Sequence, residues 1–179
     1  MWMRSAPPWK RRSHCSPSWN DAACAPAVLP DDHATTAVIP TVTPLLSAVY
    51  QDRLLAEYRA PKNRRVLTEP TGRAERKNPL CGDAMCVMVR AEHDTITDVA
   101  FTGQGCAIAT ASASLLTQAV ACLKPASTLQ LVASVEAMLS GAAVDDLPEI
   151  LAPLRGAVRF SARHRCVLLP WLALRDALG

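Results

Sequence analysis

The chain has 179 residues, which is enough for one domain of ordinary size and a tail. Half of the residues are apolar and 20% are charged, a composition typical of a soluble domain with a hydrophobic core. No stretch approaches the roughly 18 uninterrupted apolar residues of a membrane span, so we expect no integral membrane protein. The formal net charge of +3 and the 4% aromatic content argue against a nucleic-acid partner.

Seven cysteines indicate thiol or metal chemistry in a reducing compartment. Their odd number and irregular spacing make a poor disulfide framework. The basic start of the chain is not followed by a clean apolar stretch, so we expect no secretory signal. We therefore predict a cytoplasmic protein, in which cysteines serve as metal ligands, redox groups or core residues.

Residues 1–44 differ in composition from the rest of the chain. They contain seven of the fourteen prolines and three of the four tryptophans, without helical or strand periodicity. We predict a disordered or wrongly annotated N-terminal extension over 1–44, followed by a folded domain over 45–179.

The first predicted elements of this domain are a helix and a β-hairpin. Apolar residues recur at three- and four-residue steps from Leu45 onward, which predicts an amphipathic helix ending at Pro61. The basic segment 59–77 is expected to be a solvated loop, with a partner surface as the alternative. Two alternating apolar segments, 85–90 and 96–101, flank a polar turn and predict an antiparallel hairpin.

The remaining segments are predicted to be mainly helical. Residues 106–123 form a run of small and apolar residues that Pro125 ends. Ser127 is expected to cap a further helix, 145–158 to form a short helix with a loop, and 162–178 a terminal apolar helix. This order predicts an α+β domain, with a small antiparallel sheet packed against several helices. The sheet contains the hairpin, and a third strand is left open.

Three segments each place a thiol at a turn or near the start of a helix. The hexapeptide 78–83 holds Cys81 two residues before Asp83, a glycine loop delivers Cys106, and Cys166 lies amid positive charge. A helix N-terminus stabilises a thiolate, and three thiolates with one carboxylate would complete a tetrahedral zinc site. Because the spacings match no zinc finger, these residues by themselves leave a shared site open.

Several motifs together resemble the SUF-type branch, SufU, of the IscU/NifU-like iron–sulfur cluster assembly family. The resemblance extends from about residue 45 to the end of the chain, and its motifs lie in the order of the family. They are Tyr58-Arg59-Ala60-Pro61-Lys62-Asn63, Asn78-Pro79-Leu80-Cys81-Gly82-Asp83, Phe101-Thr102-Gly103-Gln104-Gly105-Cys106-Ala107-Ile108-Ala109, Ala111-Ser112-Ala113-Ser114 and Arg165-Cys166-Val167-Leu168-Leu169-Pro170-Trp171.

The resemblance implies an IscU/SufE-like fold and a set of site residues. The implied metal ligands are Cys81, Asp83, Cys106 and Cys166, with zinc as the metal and Cys81 as the sulfur acceptor. The implied sulfur donor is a PLP-dependent cysteine desulfurase of the SufS type. Arg163 would lie beside the site, paired with Asp83 or steadying a thiolate, or would be a solvated arginine.

Two departures from the IscU branch favour the SufU branch. IscU-type proteins carry His immediately before the last cysteine, where this chain has Arg165. They also lack a segment between the middle helices, which 145–158 supplies here. Both features favour a protein that holds zinc and relays sulfur over one that builds clusters on itself.

The resemblance thus leads to three functional hypotheses. The first is a zinc-dependent sulfurtransferase that passes persulfide sulfur to downstream iron–sulfur assembly proteins. The second is a scaffold that binds iron and assembles a [2Fe–2S] cluster on the same ligands. The third is a non-catalytic adaptor that zinc stabilises.

Overall fold

The computed structural model describes residues 42–179, with side chains from residue 51 onward. The described part contains four α-helices, three β-strands and one 3₁₀ helix. In chain order they are α1 (Val42–Arg59), β1 (Gly72–Lys77), β2 (Ala84–Glu92), β3 (Thr95–Gln104), α2 (Ala107–Val120), α3 (Pro125–Leu139), the 3₁₀ helix (Glu149–Arg159) and α4 (Ser161–Ala177). Residues 1–41 of the predicted extension lie outside the described residues, so the boundary near residue 45 stays a prediction.

The three strands form one antiparallel sheet in the order β1-β2-β3. β2 and β3 pair along their lengths and are joined by His93 and Asp94, whose φ angles are 50° and 61°. Positive φ at both central residues is the conformation of a type I′ turn, which matches the twist of paired strands. The α+β class and the predicted hairpin are confirmed.

The third strand, β1, lies in the basic segment that we expected to be a solvated loop. Its residues alternate between half-buried and exposed, and Ala74 packs against the core. The exposed positions carry Arg73, Glu75 and Lys77, and charged side chains protect an edge strand from pairing with another chain. The loop expectation is therefore wrong for β1, whereas residues 60–71 form a connecting loop.

The helices cover one face of the sheet, because α4 packs against β1 and β2 while α2 packs against β3. Successive side chains of a strand point to opposite faces. Met85, Val87 and Val89 of β2 accordingly join the main core with the helices. Cys86 and Met88, between them, belong to a separate small cluster.

A buried polar contact fixes α2 against α4. The Ser112 hydroxyl of α2 donates to the Val167 carbonyl of α4 at 2.8 Å, and it accepts from the Trp171 indole Nε1 at 3.0 Å. Ser112 and Trp171 are both fully buried. Because water cannot replace either bond, this contact sets how the two helices approach each other.

The start of α3 differs from the prediction. Ser127 does not cap the helix: Lys124 is the N-cap residue, Pro125 occupies the first turn, and Ser127 is buried inside the helix. Proline suits this place because the first helical N–H groups have no partner within the helix. Pro125, which was expected to end the preceding helix, thus begins α3, whereas α2 already ends at Val120.

The segment between α3 and α4 forms the 3₁₀ helix, as the predicted short helix with a loop suggested. It packs against all four α-helices and buries Leu151 and Leu154 completely. Within residues 42–179, no helix is long and apolar enough to cross a membrane.

Candidate metal centre

The candidate site lies at the end of the sheet where β1 ends, β2 begins and β3 ends. Ala84 is paired with Lys77 on one side and with Gln104 on the other. The turn that joins β1 to β2 therefore lies beside the loop that joins β3 to α2. Since α4 packs across β1 and β2, its second turn reaches the same place.

Three of the four predicted ligands come together in space. The Sγ atoms of Cys81 and Cys166 and a carboxylate oxygen of Asp83 all lie within 4.8 Å of one another. These residues come from the β1–β2 turn and from α4, so distant parts of the chain supply them. Cys81 is exposed, whereas Asp83 and Cys166 are buried.

Cys106 adjoins this group without belonging to the set within 4.8 Å. Its backbone N–H donates to Asp83 Oδ2 at 3.1 Å, and its thiol is a neighbour of the Cys166 thiol. Cys106 is the N-cap residue of α2, and its Sγ accepts from the Ala109 N–H at 3.5 Å. The thiol thus lies at the positive end of the helix dipole.

Burial has a strong effect on Cys166. The residue is 3% exposed, and burial raises the pKa of its thiol from 9.0 to about 12, with further contributions from the adjacent thiols of Cys106 and Cys81. When thiols lie close together and are shielded from water, the ionisation of a second thiol is disfavoured. A metal ion that binds here must therefore release the proton of Cys166.

Asn78 organises the turn that carries Cys81, and sequence reasoning assigned it no role. Its backbone N–H donates to the Asp83 carbonyl at 2.8 Å, and its carbonyl accepts from the Gly82 N–H at 2.9 Å. Its side-chain Nδ2 donates to Cys81 Sγ at 3.0 Å, while its Oδ1 accepts from the Leu80 N–H at 3.2 Å. In turns, an asparagine side chain commonly forms a hydrogen bond to the backbone two residues later. This tendency was the sequence signal that could have indicated the role of Asn78.

The arginines near Cys166 point to solvent. Arg163 and Arg165 are both exposed, and within residues 51–179 Arg163 forms no ion pair with Asp83. His164, between them, is half-buried and its Nε2 lies 3.0 Å from the Val158 carbonyl. The Asp83 carboxylate is instead tied to the Cys106 backbone, so Arg163 keeps the surroundings positive without binding Asp83.

The donor set fits a zinc ion. Three thiols and one carboxylate are ligands that zinc takes in tetrahedral geometry, with Zn–S near 2.3 Å and hence sulfur–sulfur distances of about 3.8 Å. The ligand atoms of Cys81, Asp83 and Cys166 already lie within 4.8 Å of one another and need only a small closing movement to reach that geometry, and the Cys106 thiol beside them would complete the set. The same thiols could also hold iron, because thiolates bind zinc and iron–sulfur clusters alike.

The chain matches the NifU-like N-terminal domain over residues 49–152, more than half of its length. It therefore belongs to the NifU-like N-terminal domain family of iron–sulfur cluster assembly proteins. This confirms the family that the sequence motifs indicated.

The chain is similar to individual proteins of the SufU and IscU type. The zinc-dependent sulfurtransferase SufU of Bacillus subtilis (strain 168) is 31% identical over 136 residues, which cover 75% of this chain and 92% of that protein. The iron–sulfur cluster assembly scaffold protein IscU of Streptococcus pyogenes serotype M1 is 38% identical over 104 residues, covering 56% and 65%. The crystal structure of FiSufU from Fervidobacterium islandicum AW-1 superposes with a TM-score of 0.68 at 27% identity, covering 74% and 98%.

Proposed function

We propose that this protein is a zinc-dependent sulfurtransferase of iron–sulfur cluster assembly, with Cys81 as the sulfur acceptor. The observation that carries the proposal is the difference in exposure within the thiol cluster. Cys81 is exposed, Cys106 is half-buried and Cys166 is buried. A partner can therefore reach the sulfur of Cys81 while Asp83, Cys106 and Cys166 remain inside as metal ligands.

The residues suit a simple exchange of sulfur. Zinc, when bound, keeps the site sulfurs in the thiolate form. The thiolate of Cys81 attacks the terminal sulfur of a partner's cysteine persulfide, Cys–S–SH. A new S–S bond forms to Cys81, the donor S–S bond breaks, and its electron pair leaves on the donor cysteine as a thiolate. The transferred sulfur keeps its proton, and neither an oxidant nor a reductant is consumed.

The partners follow from this chemistry. The donor is a PLP-dependent cysteine desulfurase of the SufS type, since this class of enzyme produces a cysteine persulfide. The acceptors are downstream iron–sulfur assembly proteins, and the exchange takes place in the reducing cytoplasm. The SufU relative of Bacillus subtilis, which carries the sulfurtransferase description, supports this assignment.

A second candidate is a scaffold on which a [2Fe–2S] cluster is assembled. The similarity to IscU of Streptococcus pyogenes favours it, and three thiols with a carboxylate can hold iron as well as zinc. The exposed Arg165 favours sulfur transfer, because this position carries His in IscU-type proteins and the arginine offers no metal ligand.

Metal analysis separates the two candidates. Protein purified anaerobically without added metal should contain about one zinc per chain, as four protein ligands require, and no acid-labile sulfide. Iron with matching sulfide would place the scaffold first. Protein free of any metal would contradict both candidates.

A desulfurase assay then tests the sulfur acceptor. The wild type should accelerate the release of alanine from cysteine by the desulfurase, and Cys81→Ser should abolish the acceleration without unfolding the protein. Cys86→Ser is the matched control, because Cys86 is buried on the opposite face of the sheet and should keep the acceleration. A folded Cys81→Ser variant that accelerates turnover as well as the wild type would refute the role of Cys81. A wild type that gives no acceleration would favour the zinc-stabilised adaptor.

A further inference from the structure

We propose that Asn78 is a positioning residue for Cys81, whose side-chain amide holds the sulfur in place for transfer. The proposal rests on the proposed function, because it assigns a residue that serves the same thiol. Asn78 itself is neither a metal ligand nor a group that touches the incoming sulfur.

The direction of the Asn78 amide is fixed by its second contact. The Leu80 backbone N–H can only donate, and it lies 3.2 Å from one end of the amide, which must therefore be the oxygen. The nitrogen end consequently faces Cys81 Sγ at 3.0 Å and donates to it. The contact is thus an N–H···S hydrogen bond.

This bond is shielded from solvent on the side of Asn78. The Asn78 residue is 5% exposed, whereas Cys81 is exposed. Water therefore competes little for the amide, while the free side of the sulfur remains open to a partner. The amide is held by Leu80 at one end and contacts the sulfur at the other, so it fixes the direction in which the Cys81 sulfur faces the partner.

The backbone of the turn does not depend on the Asn78 side chain. The bonds of the Asn78 N–H to the Asp83 carbonyl and of the Gly82 N–H to the Asn78 carbonyl are made by main-chain atoms. A change of side chain at position 78 therefore removes the contact to sulfur while two bonds of the turn persist. Outer contacts of this kind orient ligands and tune a metal site.

Asn78→Asp is the sharpest test, because aspartate has the same shape. It keeps an oxygen for the Leu80 N–H and replaces the N–H donor to Cys81 by a second oxygen. Asn78→Ala removes both side-chain contacts without adding charge. The matched control is Asn63→Asp, since the Asn63 Nδ2 donates to Thr117 Oγ1 at 2.9 Å and takes no part in the thiol cluster.

Two readouts separate positioning from a purely structural role. The first readout consists of two quantities. One is the maximal acceleration of the desulfurase, and the other is the concentration of this protein that gives half of that maximum. In both Asn78 variants the maximum should fall roughly tenfold to a hundredfold, the effect of losing one hydrogen bond to a charged group, while the half-saturating concentration stays within about twofold. Asn63→Asp should change neither quantity.

The second readout does not require the desulfurase. In protein loaded with Co²⁺ in place of zinc, the sulfur-to-cobalt charge-transfer band should move to lower energy in both Asn78 variants, because a sulfur without its N–H donor gives up charge more easily. The band of Asn63→Asp should not move.

The outcomes are distinct. If Asn78→Asp binds metal and matches the wild type in turnover and in the cobalt band, the side chain only supports the turn and the proposal fails. The same result in Asn78→Ala also refutes it. If the wild type does not accelerate the desulfurase, the proposed function fails, and the cobalt band alone decides whether Asn78 holds the sulfur.

Discussion

Replacing Ser112 by alanine should weaken the contact between α2 and α4. The substitution removes one oxygen atom and adds no bulk, so the helices can stay in register. It takes away the only acceptor that the described residues provide for the Trp171 Nε1–H, which lies 3.0 Å from the Ser112 hydroxyl. Since Trp171 is fully buried, water cannot take the place of the lost partner.

The magnitude follows from the group that is left without a partner. The Val167 carbonyl lies inside α4 and keeps its bond within the helix. The indole N–H loses its bond, and a buried donor without an acceptor costs about 1–3 kcal/mol. We therefore expect Ser112→Ala to lower the free energy of unfolding by about 1–3 kcal/mol.

Urea unfolding of the metal-free protein is the appropriate assay, because bound metal would add its own binding free energy to the folded state. Ser134→Ala serves as the control. The Ser134 hydroxyl also donates to a helix carbonyl, that of Gln130 at 3.1 Å, but it is exposed to water. This variant should stay within about 0.5 kcal/mol of the wild type.

A loss as small as that of Ser134→Ala would refute the reasoning. Trp171→Phe provides a further check, because it removes the indole N–H. In this background Ser112→Ala should cost about 1 kcal/mol less than in the wild type, since the orphaned donor is gone. Equal costs in the two backgrounds would show that the bond contributes nothing.

Two further predictions concern the glycines and the buried thiol. Gly103→Ala should lower the free energy of unfolding several times as much as Gly82→Ala. A Cβ at Gly103 (φ +131°) would lie 2.1 Å from a backbone oxygen, whereas a Cβ at Gly82 (φ +75°) would have nothing within 4 Å. Urea midpoints that fall equally in the two variants would contradict this prediction. In the metal-free protein, burial raises the pKa of the Cys166 thiol from 9.0, the value for the unfolded chain, to about 12. Between these two values the folded state therefore keeps a proton that the unfolded state loses. This contribution to the free energy of unfolding should therefore be constant below pH 9 and decrease as the pH rises towards 12. In urea titrations from pH 8 to pH 10, the decrease should be smaller in Cys166→Ser than in the wild type. A decline as steep in the variant as in the wild type would refute the assignment to Cys166.

The sequence predicted the elements with clear periodicity, but it left the third strand open and did not locate it, because β1 lacks such a pattern. The hairpin and the helices that follow carry alternating or helical apolar patterns. β1, by contrast, has the sequence Gly-Arg-Ala-Glu-Arg-Lys, and the one apolar side chain that it packs against the core is that of the half-buried Ala74. Such a charged edge strand is held by pairing with β2, and pairing between strands leaves little trace in a local pattern.

For the site, the sequence indicated which residues would matter, and the structure adds how they are held. The motifs pointed to Cys81, Asp83 and Cys166, which lie together, and to Cys106, which is tied to them by the bond of its backbone N–H to Asp83. The support that Asn78 gives to Cys81 depends on the direction of a side chain inside a turn. That direction follows from the folded backbone and has no signature in spacing.

The order of the proposed ligands along the chain has a consequence for biosynthesis. A ribosome makes Cys81 and Asp83 first, Cys106 next and Cys166 last, after α3 and the 3₁₀ helix. An emerging chain therefore exposes two thiols and a carboxylate for the whole time needed to make the next 60 residues, which separate Cys106 from Cys166. During that interval the unfinished site is open to stray metal ions and to oxidation. The docking of α4 completes the proposed site and buries its last thiol in the same event, so metal loading at this site would have to wait until synthesis of the domain is finished.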